Sequence, residues 1–194
     1  MVVHWGPGLE LATLADKSKT YWSYHDMSSH AGFIAALDNL ESYVLAEGPF
    51  DGVMAYSQGA GLAAMLLVRR QHLYPLEPPL FKCAIFFSPL QVYDPAAYAE
   101  RGEVKVLGQG QEQEHEGGGT AAAAVSIPTA IIYGVSDERK DECVGLQAIC
   151  DATRLSVFVH EGGHQVPGLG AKDGLLGSVR MARRAITLAK VAAC

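Results

Sequence analysis

Ser57 stands in Ala55-Tyr56-Ser57-Gln58-Gly59, a variant of the small-x-Ser-x-Gly pattern with alanine in the first small position. Small residues two places either side of a serine let a strand and a helix approach across a tight turn, which lifts the hydroxyl clear of the backbone. The same turn puts the amide of Gln58 at a helix N-terminus, where an N–H can stabilise a developing oxyanion. A serine hydroxyl is a poor nucleophile alone, so a base and a group that orients the base are required. Asp137 in YGVSDE and His164 in HEGGHQVP are the candidates, each in a loop that leaves the carboxyl end of an apolar segment. Glu138 and Asp141 are rival carboxylates, and a helix N-cap is the structural alternative for Asp137. His160 is the nearest rival to His164.

His160-Glu161-Gly162-Gly163-His164 also fits the letters of H-E-x-x-H, in which one helix face presents two histidines to zinc. Its two glycines each cost about 0.8 to 1.0 kcal/mol of helix propensity, and a strand precedes it while a proline follows, so no metal is expected. His4, His25, His30, His72 and His115 have no partner pattern. Gly117 to Gly119 lie in a low-complexity stretch and cradle no phosphate, so no cofactor is expected. The four cysteines, at 83, 143, 150 and 194, form no C-x-x-C pair and read as reduced thiols, with Cys143 and Cys150 as small apolar residues of one helix face.

Several elements must position these groups. Phe33, Leu37, Leu40 and Val44 recur at helical spacing after a Ser28-Ser29 N-cap and before Gly48-Pro49. Residues 50–56 read as a strand and the run from Ala60 as a helix; Phe81 to Phe87, Pro128 to Tyr133 and Leu155 to Val159 read as further strands. Helices are expected at Asp141 to Asp151 and Leu175 to Ala192. Near-continuous apolar strands alternating with helices predict an α/β fold, a mostly parallel sheet with helices on both faces. Periodicity fails from Ala96 to Ala124, where a flexible excursion is expected, either a lid or a disordered insert. One domain spanning residues 1–194 is expected.

The composition excludes several classes. With 194 residues, 49% of them hydrophobic and 19% charged, the chain is long and apolar enough for a single core. A net charge of −6 lacks the basic excess that phosphate contacts need, so nucleic acid is not an expected partner. No apolar run approaches the roughly 20 residues of a membrane span, and the N-terminus does not read as a secretory leader, so no membrane partner and a cytoplasmic location are expected.

With Ser57, Asp137 and His164 in place, the chain resembles the FSH family of serine hydrolases, small α/β hydrolases common in fungi. GPFDGVMAYSQGAGLAAML is similar to that family's nucleophile segment, IPTAIIYGVSDE to its acid segment and HEGGHQVP to its histidine segment, while GPGLE and YWSYHD are similar to the stretch before its first long helix. The resemblance implies an α/β-hydrolase fold in which Ser57, Asp137 and His164 form the triad. It implies hydrolysis of carboxylic esters or thioesters; some members serve fungal polyketide pathways, so a small acyl or polyketide substrate is expected. The family normally opens with an apolar strand and a Leu-His-Gly type loop that supplies a second oxyanion donor, and relative to it this chain reads as N-terminally shortened. Two expectations follow: the edge beside the nucleophile strand is covered by Met1 to Trp5 or by a second copy of the chain in a homodimer, and efficient acyl transfer is weakened. Losing one such donor costs about 100-fold to 1000-fold in kcat. The alternatives are a polyketide-tailoring enzyme using His164 as acid or base for epoxide opening, cyclisation or elimination, and a hydrolase-derived binding protein. Tyr21, Trp22, Tyr56 and Phe87 are candidate walls of an apolar substrate pocket, or else ordinary core.

Overall fold

A computed structural model describes residue 24, residues 29–108 and residues 123–192. Met1 to Trp5, Tyr21, Trp22, His115 and Cys194 lie outside the described residues.

Helix α1, His30–Glu47, starts at Ser29, whose hydroxyl accepts the Gly32 N–H at 3.1 Å. Such a cap satisfies one of the four orphan donors of the first turn. Phe33, Leu37 and Val44 are buried on its inner face as their spacing predicts, each burial worth about 1.5 to 3 kcal/mol. The helix ends at Gly48, because Pro49 has no N–H to continue the ladder and restricts the residue before it.

Strand β1 (Gly52–Tyr56) runs straight into helix α2 (Ser57–Leu73), and β2 (Cys83–Phe87) follows. Helix α3 (Pro95–Arg101), strand β3 (Thr129–Gly134), helix α4 (Lys140–Ala148), strand β4 (Leu155–His160) and helix α5 (Lys172–Ala192) complete the order. The four strands form one parallel sheet in the order β1-β2-β3-β4. Side chains alternate between its faces, as a period of two requires. Ala84, Phe86, Ile131 and Tyr133 join the cluster under α1, α2 and α4, whereas Ile85, Phe87, Ala130 and Ile132 meet Ala185 and Ala189 of α5. All residues of β2 and β3 are buried, which explains their unbroken apolar runs. The chain therefore has the α/β-hydrolase-like architecture expected of it, a parallel sheet with helices on both faces.

Two differences from the sequence reading have local causes. Helix α2 begins at Ser57 rather than Ala60, because the turn closes within one residue of the strand. The start of the expected excursion is instead α3, with Asp94 accepting the Ala96 and Ala97 N–H groups, Pro95 in the first turn and Gly102 at φ 66° closing it. Its Ala97 is buried and the Tyr98 ring meets Phe33 edge-on. Residues 109–122 lie outside the described residues.

Among the described residues β1 pairs on one side only, and Met54 at its centre is 67% exposed. Hollows flank this edge on both faces of the sheet. One, of about 680 Å³, is lined in part by Tyr24, Leu40, Met54, Tyr56 and Gly59. The other, of about 560 Å³, is lined in part by Met54, Ile85 and Ile186. Among the described residues no helix is long and apolar enough to cross a membrane.

Candidate active site

All four strands run the same way, so the loops that follow them share one rim. Ser57 follows β1 directly, Asp137 lies three residues past β3 and His164 four past β4. Ser57 has φ 54°, in the left-handed region that a side chain rarely adopts. Non-glycine residues persist there only when their surroundings fix them. Here the extended Tyr56 and the first turn of α2 fix it on either side, and the Ser57 carbonyl accepts the Leu90 N–H at 3.2 Å. The side chain is half-buried and faces the histidine.

His164 Nε2 lies 2.8 Å from Ser57 Oγ, and His164 Nδ1 lies 2.9 Å from Asp137 Oδ2. An ionised carboxylate can only accept, so Nδ1 carries the proton and Nε2 is left to accept the Ser57 hydroxyl. The Asp137 side chain is fully buried, and its Oδ1 accepts the Arg139 N–H at 2.9 Å. Both oxygens are thus engaged. Burial separates Asp137 from its sequence rivals, because Glu138 and Asp141 are exposed.

On the far side of the sheet from Ser57, β4 ends about 14 Å away at three strand spacings, so the turn after His160 must fold back across the rim. Three contacts hold it there. The Ser136 N–H donates to the Gly162 carbonyl at 3.1 Å, and the Tyr56 hydroxyl donates to the His164 carbonyl at 2.7 Å. The turn also rides on Gly134, where a side-chain methyl would land on the carbonyl oxygens of Gly162 and Gly163. Sequence reasoning missed Gly134 and assigned Tyr56 a different task. The Tyr56 ring centre lies 5.3 Å from that of His164, so Tyr56 both lines the β1 hollow and braces the histidine.

Among the described residues no side chain caps α2, whose first turn includes Gln58 and presents the positive end of the helix dipole beside Ser57. The Gln58 side chain accepts the Tyr24 N–H at 3.0 Å. Phe87 is 8% exposed and packs in the cluster beneath α5. His160 and His164 do not share a helix: His160 closes β4, and the residues between them form a bend. Tyr21 and Trp22 are outside the described residues. Cys143 and Cys150 are buried, and burial pushes both thiols up to about 12.

The family model described as "Serine hydrolase (FSH1)" matches residues 7–172. Esterase FPY3 of Fusarium mangiferae is 34% identical over 161 residues, which cover 83% of this chain and 67% of that protein. Hydrolase FUB4 of Fusarium oxysporum f. sp. lycopersici is 39% identical over 80 residues, or 41% of this chain and 30% of that protein. Among solved structures, Zea mays acyl-protein thioesterase 2 aligns at a TM-score of 0.49 and 17% identity, over 85% of this chain and 74% of that one. The chain therefore spans about two thirds of the length of one curated relative and under a third of the other. A family match over most of the chain joins a serine, histidine and aspartate in hydrogen-bonded sequence above the sheet, and this chain belongs to the FSH1 serine hydrolase family.

Proposed function

We propose that the chain cleaves the ester or thioester of a small acyl substrate by acyl transfer through Ser57. The observation that carries this reading is the unbroken pair of hydrogen bonds from Ser57 Oγ to His164 Nε2 and from His164 Nδ1 to the buried Asp137 carboxylate.

Ser57 Oγ attacks the carbonyl carbon while His164 Nε2 takes the hydroxyl proton. Asp137 holds the imidazole in the tautomer that can accept it, and stabilises the imidazolium that forms. The amide of Gln58, at the positive end of α2, faces the developing oxyanion. His164 then returns the proton to the departing alcohol or thiol, leaving an acyl group on Ser57. A water, deprotonated by the same nitrogen, attacks that ester; the acid leaves and Ser57 regains its proton. The relatives named as an esterase and a hydrolase support the reaction class. The family resemblance supports an acyl or polyketide intermediate of fungal secondary metabolism as the substrate.

The test is fluorophosphonate labelling combined with turnover of p-nitrophenyl esters and N-acetylcysteamine thioesters by Ser57→Ala and His164→Ala. Stoichiometric label on Ser57, with turnover lost in both variants, is the expected result. Turnover that survives Ser57→Ala but not His164→Ala would instead identify acid–base chemistry on a polyketide. Ligand binding indifferent to both substitutions would identify a binding protein.

A further inference from the structure

His160 is a buried histidine that this mechanism leaves unused. Its residue is 5% exposed, and its backbone closes β4, where the carbonyl accepts the Val135 N–H at 2.8 Å. The Gly162 N–H donates to its Nδ1 at 3.1 Å. That bond is directional in a useful sense: a backbone N–H can only donate, so Nδ1 must be unprotonated, and the ring proton sits on Nε2. Nε2 is itself buried, with no hydrogen-bond partner among the described residues. Gly162 lies two residues before His164, in the turn that folds back across the rim. Its carbonyl is held by Ser136 and its amide by His160, so both peptide groups flanking its Cα are held.

We infer that His160 is a positioning residue, whose neutral imidazole holds the Gly162 amide and thereby keeps His164 in reach of Ser57. A proton added to Nδ1 would set two donors against each other and release the turn. Two consequences act together, because the added charge would also lie near Asp137 and weaken its hold on the His164 imidazolium.

The groups around the ring define its titration. Burial pushes the His160 imidazole below the ordinary histidine value, while the Gln165 backbone and the charge of Asp137 oppose that shift. From the helix side, Gly174 of α5 backs onto its Cβ and brings no charge. A histidine lowered in the fold stays neutral where the unfolded chain has begun to take up protons. The bond in the folded protein is therefore intact at pH ~6.5 and above and is lost as pH falls through the lower folded value, while its contribution to stability fades between the two.

The inference rests on the acyl-transfer reading only for its kinetic arm. Wild-type kcat/KM should fall on the acid side with a limb steeper than one proton, the second proton being that of His160. His160→Asn offers an amide oxygen where Nδ1 stood and cannot titrate. It should keep neutral-pH turnover within about threefold and show a one-proton limb. His160→Leu leaves the Gly162 amide without an acceptor and should lose about tenfold in kcat with KM little changed. An unchanged limb in His160→Asn, or full turnover in His160→Leu, overturns the inference. A second arm needs no activity: ¹⁵N-resolved NMR of the folded wild type should show Nε2-protonated His160 and a Gly162 amide resonance that moves with its titration. An Nδ1-protonated ring, or a Gly162 amide indifferent to it, overturns the inference even if Ser57 is labelled. Absence of Ser57 labelling with the Gly162 titration present would instead count against acyl transfer alone.

Discussion

Asp137→Asn isolates the orienting carboxylate at constant volume, and the geometry fixes what it must cost. Two donors, the Arg139 N–H and the His164 Nδ1–H, converge on the two oxygens of Asp137 at 2.9 Å each. An amide has one oxygen. With that oxygen kept on Arg139, the NH₂ group faces Nδ1 and forces the ring proton to Nε2, which then points a donor at the Ser57 hydroxyl instead of a base. Turning the amide restores the working tautomer but leaves two donors face to face at a fully buried position, a penalty of about 1 to 3 kcal/mol. Replacing the charged acceptor by a neutral one weakens the bond to the imidazolium by about 1 to 2 kcal/mol more. Together these give about 2 to 5 kcal/mol, or roughly 30-fold to 5000-fold in kcat at 1.36 kcal/mol per decade. Initial rates on p-nitrophenyl butyrate and the rate of fluorophosphonate labelling should fall together, with KM little changed. An Asn variant within threefold of wild type by both measures, at an unchanged melting temperature, would refute the assignment of Asp137 as the orienting group.

Three further outcomes are expected. Gly134→Ala puts a methyl on the carbonyl oxygens of Gly162 and Gly163, and a displacement of His164 by 1 Å is enough for about a 100-fold loss in kcat, so a variant within fivefold of wild type would contradict the close approach. Cys143 and Cys150, with thiols pushed up to about 12, should resist iodoacetamide at pH 8 until guanidinium unfolds the chain; mass mapping of label on either in the folded protein would show them to be reachable. We propose that a second copy pairs with the edge of β1 that is unpaired among the described residues, because a two-fold pairing of the five-residue strand sets its central Met54 opposite itself. Light scattering should then find a dimer at micromolar concentration that Met54→Lys disperses by opposing like charges, and a wild-type monomer would remove this pairing.

What could be read from the sequence followed the range of the interactions involved. The buried strands announced themselves because β2 and β3 are covered on both faces and tolerate only apolar residues. Ser57 was legible because the tight turn needs small neighbours within two residues, a constraint written locally. Helix α3 was overlooked although Asp94, Pro95 and Gly102 mark its ends, because seven residues are too few to establish a periodicity. Asp137 was legible over Glu138 and Asp141 because it stands just past an apolar strand, where rim loops begin, and burial agrees with that choice. The brace from Tyr56 to the His164 carbonyl links residues 108 positions apart and leaves no trace in spacing.

The sheet order carries a last consequence. Among the described strands Ser57 and His164 follow the two at opposite ends of the sheet order, so the packed strands do not by themselves set the distance between them. That distance is set by a short turn held through the Ser136, Tyr56 and His160 bonds, each worth about 0.5 to 1.5 kcal/mol. Global stability rests elsewhere, in the two apolar clusters on either face. Loss of one turn contact should therefore move the histidine without melting the domain, whereas a cavity such as Leu37→Ala should cost about 2 to 5 kcal/mol of stability and leave the rim geometry intact in the molecules that remain folded. Activity and melting temperature should separate along that line: Tyr56→Phe lowers kcat more than it lowers the transition, and Leu37→Ala does the reverse.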